Sequence, residues 1–145
     1  MLHSRRLWAG PKGQRAPTGH HDKDPVQTVP NVALVGFGPW GRNIARNLHR
    51  LGALRTVCDP DAQSRALAAR DYPDVAVIAD AKDVPADCAV AIAAPAADHE
   101  RLATFFLQRG QPLFVEKPLA LSAAACRSLD ALARSRNTLL MVGHL

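Results

Sequence analysis

The distribution of apolar and polar positions changes character at Asn31. Residues 1–30 mix Pro, Gly, His and charged residues without helical or strand period, and are expected to form a disordered basic tail. From residue 31 onward, short, mainly apolar runs alternate with longer segments of helical period. Residues 32–35, 54–58, 75–78, 88–93, 113–115 and 138–142 read as strands. Residues 40–51, 62–70, 97–109 and 123–136 read as helices. In the first helix Ile44, Leu48 and Leu51 share a face, with Arg42, Arg46 and Arg50 largely on another. In the third, Leu102, Phe105 and Phe106 mark the buried face. Gly52 and Gly110 stand where helices stop, and Ser122 stands where the last one starts. The link 79–87 contains Pro85 and has room for a single helical turn.

Strands that stay apolar rather than alternating are buried on both faces. Separated by helices, they predict an α/β fold with a parallel, doubly wound sheet of about six strands. Right-handed crossovers then give the order 3-2-1-4-5-6. Residues 31–145 form one domain on this reading.

Composition narrows the picture without changing it. The 145 residues carry 18 Lys and Arg against 13 Asp and Glu, a formal charge of +5. Much of the surplus comes from Arg5, Arg6, Lys12, Arg15 and Lys23 in the tail. The body shows no basic stripe, so no nucleic-acid partner is expected. No apolar run reaches the ~18 residues needed to span a membrane, and the N-terminus lacks a signal-peptide core. The three cysteines, Cys58, Cys88 and Cys126, show neither a C-x-x-C pair nor zinc spacing. Two of them sit in apolar strands, which suits small buried hydrophobes in a reduced cytoplasmic setting. His20 and His21 read as a solvated pair, so no metal site is expected.

The chemistry begins at the end of the first strand. Gly36-Phe37-Gly38-Pro39-Trp40-Gly41 has the G-x-G-x-x-G spacing of a strand-to-helix turn that cradles a pyrophosphate. In such a turn Gly36 permits the tight bend, Gly38 lets backbone approach the phosphates, and Gly41 lets helix and strand close together. The helix then offers its free N–H groups and positive dipole end to the phosphates. Asp59 ends the second strand, where a carboxylate accepts hydrogen bonds from the adenosine ribose and repels a 2′-phosphate. NAD is therefore expected over NADP. Ala94-Pro95 follows the fourth strand at the same edge of the sheet, with His99 in the first turn of the next helix. Glu116-Lys117-Pro118 leaves the fifth strand at that edge too. There Lys117, if partly buried, is placed to exchange a proton with an alcohol during hydride transfer, and Pro118 fixes the backbone, with a cis bond as one way of doing so.

These segments, in this order and spacing, resemble the Rossmann half of the Gfo/Idh/MocA family (glucose-fructose oxidoreductase/inositol dehydrogenase). The resemblance covers residues 31–145. Trp40-Gly41 with Asn43, Arg46 and Asn47, and Met141-Val142-Gly143-His144, look most similar to the branch acting on nucleotide-linked amino sugars, such as UDP-N-acetylglucosamine 3-dehydrogenases. The resemblance implies that Gly36, Phe37, Gly38, Pro39, Trp40 and Gly41 hold the NAD pyrophosphate and Asp59 the adenosine ribose. It implies that Ala94, Pro95 and His99 line the cofactor cleft and that Glu116 approaches the nicotinamide ribose. Lys117 becomes the catalytic residue, contacting the sugar hydroxyl. Members commonly carry Thr where this chain has Ala94, which removes one hydroxyl donor. Members also carry a second α/β domain with most sugar contacts, an acid–base partner and the oligomer interface. This sequence stops before that domain, and His144 lies too close to the last strand to stand in for its catalytic His. The expectation is a truncated sugar oxidoreductase, or a dinucleotide-binding module that relies on a second domain or chain.

Overall fold

The computed structural model describes residues 29–143. Residues 1–28 of the tail, with His20 and His21, and His144 at the other end lie outside the described residues. Six strands and four α-helices follow one another: β1 Val32–Val35, α1 Pro39–Arg50, β2 Leu54–Cys58, α2 Ala62–Asp71, β3 Ala76–Ile78, β4 Ala89–Ile92, α3 Ala96–Gln108, β5 Leu113–Glu116, α4 Ala123–Ser135 and β6 Leu140–Gly143. A 3₁₀ turn, Ala81–Asp83, is the single helical turn expected between β3 and β4.

The sheet order is β3-β2-β1-β4-β5-β6, and every pairing is parallel. This is the doubly wound order the alternation implied. It arises because the inner strands β1, β2, β4 and β5 bury residues on both faces, while β3 and β6 close the edges. Leu34, Val57 and Ala91 pack with Ala45 of α1 and Ala68 of α2. Ala33, Val35, Val90, Ile92 and Val115 pack with Leu102 and Phe106 of α3 and Leu129 of α4. Small residues dominate the α1 contact, where Gly41 and Ala45 are the buried positions. They let that helix lie close on the sheet.

Two side chains depart from the expected buried faces. Leu51 is 68% exposed. The helix ends at Arg50, and Gly52, at φ +68°, turns the chain before Leu51 can reach the core. Phe105 is only half-buried. Its ring meets Phe106 edge-on at 5.0 Å, and the Arg109 guanidinium covers it at 5.3 Å. Arg109 also donates to the Val84 carbonyl at 2.9 Å, so it ties the end of α3 to the loop before β4.

Backbone hydrogen bonds carry the sheet one rung past the strand ends on one side. Gly36 N–H donates to Cys58 O at 2.8 Å, Asp59 N–H to Ile78 O at 3.1 Å, and Ala93 N–H to Val35 O at 2.8 Å. The loops after β1, β2 and β4 therefore begin at one level, at the carboxyl edge where open α/β sheets bind ligands.

Candidate functional site

The three glycines of the first turn have different surroundings. Gly36 sits at φ +98°, and a Cβ there would meet the Ala93 carbonyl and Ala94 N at 2.7 Å. A Cβ on Gly41 would run into the Gly36 carbonyl oxygen. A Cβ on Gly38 would meet nothing within 4 Å. Two glycines thus serve the protein's own packing, and the third leaves space over the cleft. Gly38 is also the N-cap of α1. No side chain caps that end, Pro39 takes an early position, and the first turn carries no acidic residue. The free N–H groups and positive dipole end remain available to an anion, so the residues present fit a pyrophosphate.

Asp59 is 8% exposed and holds this turn in place. Its Oδ2 accepts the Phe37 N–H at 2.7 Å, and its Oδ1 accepts the Asp61 N–H at 2.8 Å. One carboxylate thereby links the loop after β1 to the loop after β2. Phe37 consequently faces away from the cleft. Its ring is buried against Tyr72, 6.2 Å between centroids, and its N–H is already given to Asp59. The Asp59 carboxylate still lines the cavity beside the turn.

That cavity has a volume of about 710 Å³ and runs over Gly38, Asp59 and Pro95. Its rim carries the carboxylates of Asp80 and Asp98 besides Asp59, with Arg101 as its cation. Arg101 is paired to Asp98 at 2.8 Å. Cys58 also lines it, but burial, aided by the neighbouring Asp59 charge, pushes the thiol up to about 11. It stays a neutral wall atom.

A second cavity of about 280 Å³ shares the wall of Trp40, Ala93 and Ala94 and reaches Glu116 and Lys117. Trp40 is 48% exposed and stands between the two. Glu116 is half-buried, whereas Lys117 is exposed rather than partly buried. The Lys117–Pro118 peptide is cis. Pro95 is the N-cap of α3, again without a side-chain cap. His99 is 2% exposed, and its ring nitrogens are both engaged by backbone: Nδ1 lies 2.7 Å from Pro118 O and Nε2 2.8 Å from Ala94 O. Of the expected site residues, Phe37 and Gly41 line neither cavity, while the others line the two adjoining cavities, His99 as part of their wall.

Sequence reasoning passed over two residues. Arg65 Nη1 donates to the carbonyls of Asp59 and Pro60 at 3.0 and 2.7 Å, clamping the turn that carries the acid. The signal was present in Asp61, whose side chain caps α2 by accepting Ser64 N–H at 2.7 Å and so fixes where Arg65 points. Gly143 is the other. A Cβ there would lie 2.8 Å from the Phe114 ring and 3.1 Å from Glu116 Oε1. Its bare backbone leaves room for the Glu116 carboxylate, which no spacing rule reveals.

Residues 30–144 match the family described as "Oxidoreductase family, NAD-binding Rossmann fold", GFO_IDH_MocA. The chain is similar to inositol 2-dehydrogenase 1 of Saccharopolyspora erythraea, 37% identical over 69% of this chain and 32% of that protein. It is also similar to UDP-N-acetylglucosamine 3-dehydrogenase of Acidithiobacillus ferrooxidans, 28% identical over 79% of this chain and 36% of the other. Among solved structures, GenD2 from gentamicin A biosynthesis, in complex with NAD, superposes with a TM-score of 0.73 at 32% identity. That likeness covers 79% of this chain and 34% of GenD2. The chain spans about a third of the length of the curated relatives it matches. With its glycine turn, its acid-pinned loop and its cleft in the expected places, the chain belongs to the Gfo/Idh/MocA oxidoreductase family and carries that family's NAD-binding Rossmann fold.

Proposed function

We propose that the chain holds NAD along the cleft and serves hydride transfer at a secondary alcohol of a polyhydroxylated ring, a sugar, cyclitol or nucleotide sugar. The observation that carries this reading is the wall shared by the two cavities. One cavity contains the glycine turn and Asp59, and the other contains Lys117. A dinucleotide laid across Trp40, Ala93 and Ala94 has its adenosine end at Asp59 and its other end at Lys117. The adenosine end favours NAD over NADP, because Asp59, Asp80 and Asp98 would face a 2′-phosphate with like charge.

The nicotinamide, when bound, supplies hydride acceptance or donation. The chain's own work is positional and protic. The N-terminus of α1 holds the phosphates, with Gly38 giving access. Asp59 keeps the turn closed. Lys117, as a free amine, takes the hydroxyl proton while the carbinol carbon loses hydride, and as an ammonium it returns the proton in the reverse direction. Glu116 is placed to accept from a ribose hydroxyl.

The names of the relatives cover both a cyclitol and a nucleotide sugar, which supports a ring alcohol without choosing between them. A second reading, NAD binding without turnover by these residues alone, draws on the exposure of Lys117. Among the described residues nothing closes over it to exclude water. One titration separates the two. NAD at up to about 1 mM raises the thermal midpoint on both readings. A nicotinamide absorbance change with inositol or UDP-N-acetylglucosamine, abolished in Lys117→Ala while the NAD shift persists, supports the enzyme. A shift without turnover supports the binding module, and no shift overturns both.

A further inference from the structure

His99 is placed to do more than line a wall. It lies in the first turn of α3, and its two ring nitrogens point at carbonyl oxygens from different segments. One belongs to Ala94, just after β4, and the other to Pro118, the residue following Lys117. A carbonyl oxygen only accepts, so the ring makes both bonds when both nitrogens carry hydrogen and one bond in either neutral tautomer. The charged groups on the surrounding segments are Asp98, Glu100 and Arg101 of α3, Glu116 at the end of β5 and Lys117 just after it, and Arg127 of α4. Asp98 is paired with Arg101, and among the described residues no carboxylate lies within ion-pairing distance of the ring. Backbone alone therefore determines how the ring is held.

The two ends it joins are the two sides of the smaller cavity. Ala94 belongs to the wall shared with the glycine-turn cavity, and Lys117 forms the far side. We infer that His99 is a positioning residue, a strap that sets the distance between Lys117 and the cofactor wall through the carbonyls of Pro118 and Ala94. This rests on the proposed reading of the cleft. The strap acts at the Lys117 end only, since the glycine turn and Asp59 are held by their own bonds.

That asymmetry makes it testable in the chain as it stands. Hydrogen–deuterium exchange is compared in wild type, His99→Gln and His99→Leu, together with binding of NADH and of AMP. AMP occupies only the adenosine end. In His99→Leu, exchange should rise in the segment around 114–121 and stay at wild-type levels in β1 and the first turn of α1. NADH should bind roughly two- to tenfold more weakly, the range of about one lost hydrogen bond, with AMP affinity unchanged. His99→Gln, which keeps one donor group, should recover part of the loss. A uniform rise in exchange, or equal weakening of NADH and AMP, would show a general packing role and overturn the strap. Unchanged exchange and unchanged NADH binding would overturn it as well. If wild type binds neither ligand, the reading of the cleft fails instead, and the exchange pattern still decides whether the strap exists.

Discussion

At the scale of single residues, the three glycines of the first turn make separable predictions. Gly41→Ala forces a methyl group onto the Gly36 carbonyl and should lower stability by several kcal/mol, measured by urea unfolding. Gly38→Val places its side chain in open space, so stability should stay within about 0.5 kcal/mol while the NAD-induced thermal shift is lost. Equal destabilisation by both would refute the division of labour. The sequence carried the motif and the tight packing at Gly36 and Gly41, but it did not carry Phe37. Spacing places that residue inside the phosphate-binding turn, whereas its ring belongs to the core against Tyr72. Gly143 was hidden because what it does is set by Phe114 and Glu116, distant in the chain, whereas the partners of Arg65 lie only five and six residues away. The acid Asp61 allows a test by pH. Hydrogen bonds from Ser64, backbone first, hold its carboxyl below the ordinary 3.8 in the folded chain. The stabilisation it gives is therefore present above that value and lost as pH falls through the lower folded value. Asp61→Asn should show a smaller drop in urea midpoint between pH 6 and pH 3 than wild type, and an equal drop would count against the cap.

At the scale of elements, the strands were legible because each is a short, mainly apolar run, interrupted only in β2 by Arg55 and Thr56 and ended in β5 by Glu116. The helix faces were less so. Leu51 fits the 3.6-residue period yet lies past the end of α1, and Phe105 fits it yet is covered by Arg109 instead of the sheet. Periodicity assigns a face but not where the element stops or which polar chain overlays it. The contrast predicts unequal costs within α3. Phe106→Ala, at 0% exposure, should cost about 3–5 kcal/mol by chemical denaturation, and Phe105→Ala clearly less. Ser122, whose hydroxyl accepts Ala125 N–H at 3.0 Å, should cost about 1 kcal/mol when replaced by Ala.

At the scale of the whole molecule, the sheet order follows from the buried inner strands, and the cleft follows from the sheet order, since the connections leaving the neighbouring strands β1 and β4 lead to helices on opposite faces at its carboxyl edge. What the sequence left open is what lies over Lys117, because a side chain's cover is supplied by neighbours and not by its own pattern. Cys58 at the end of β2 and Cys88 just before β4, both buried, should resist alkylation until the chain unfolds, with mass spectrometry as the readout. The double hydrogen bond to Asp59 carries a final consequence for anyone seeking to retarget the cofactor. The obvious exchange, removing that carboxylate so that a 2′-phosphate is tolerated, would also unfasten the Phe37 and Asp61 amides. On the proposed reading of the cleft, cofactor choice and the hold on both loops rest on one side chain. A redesign must first supply a substitute acceptor for those amides and only then alter the charge.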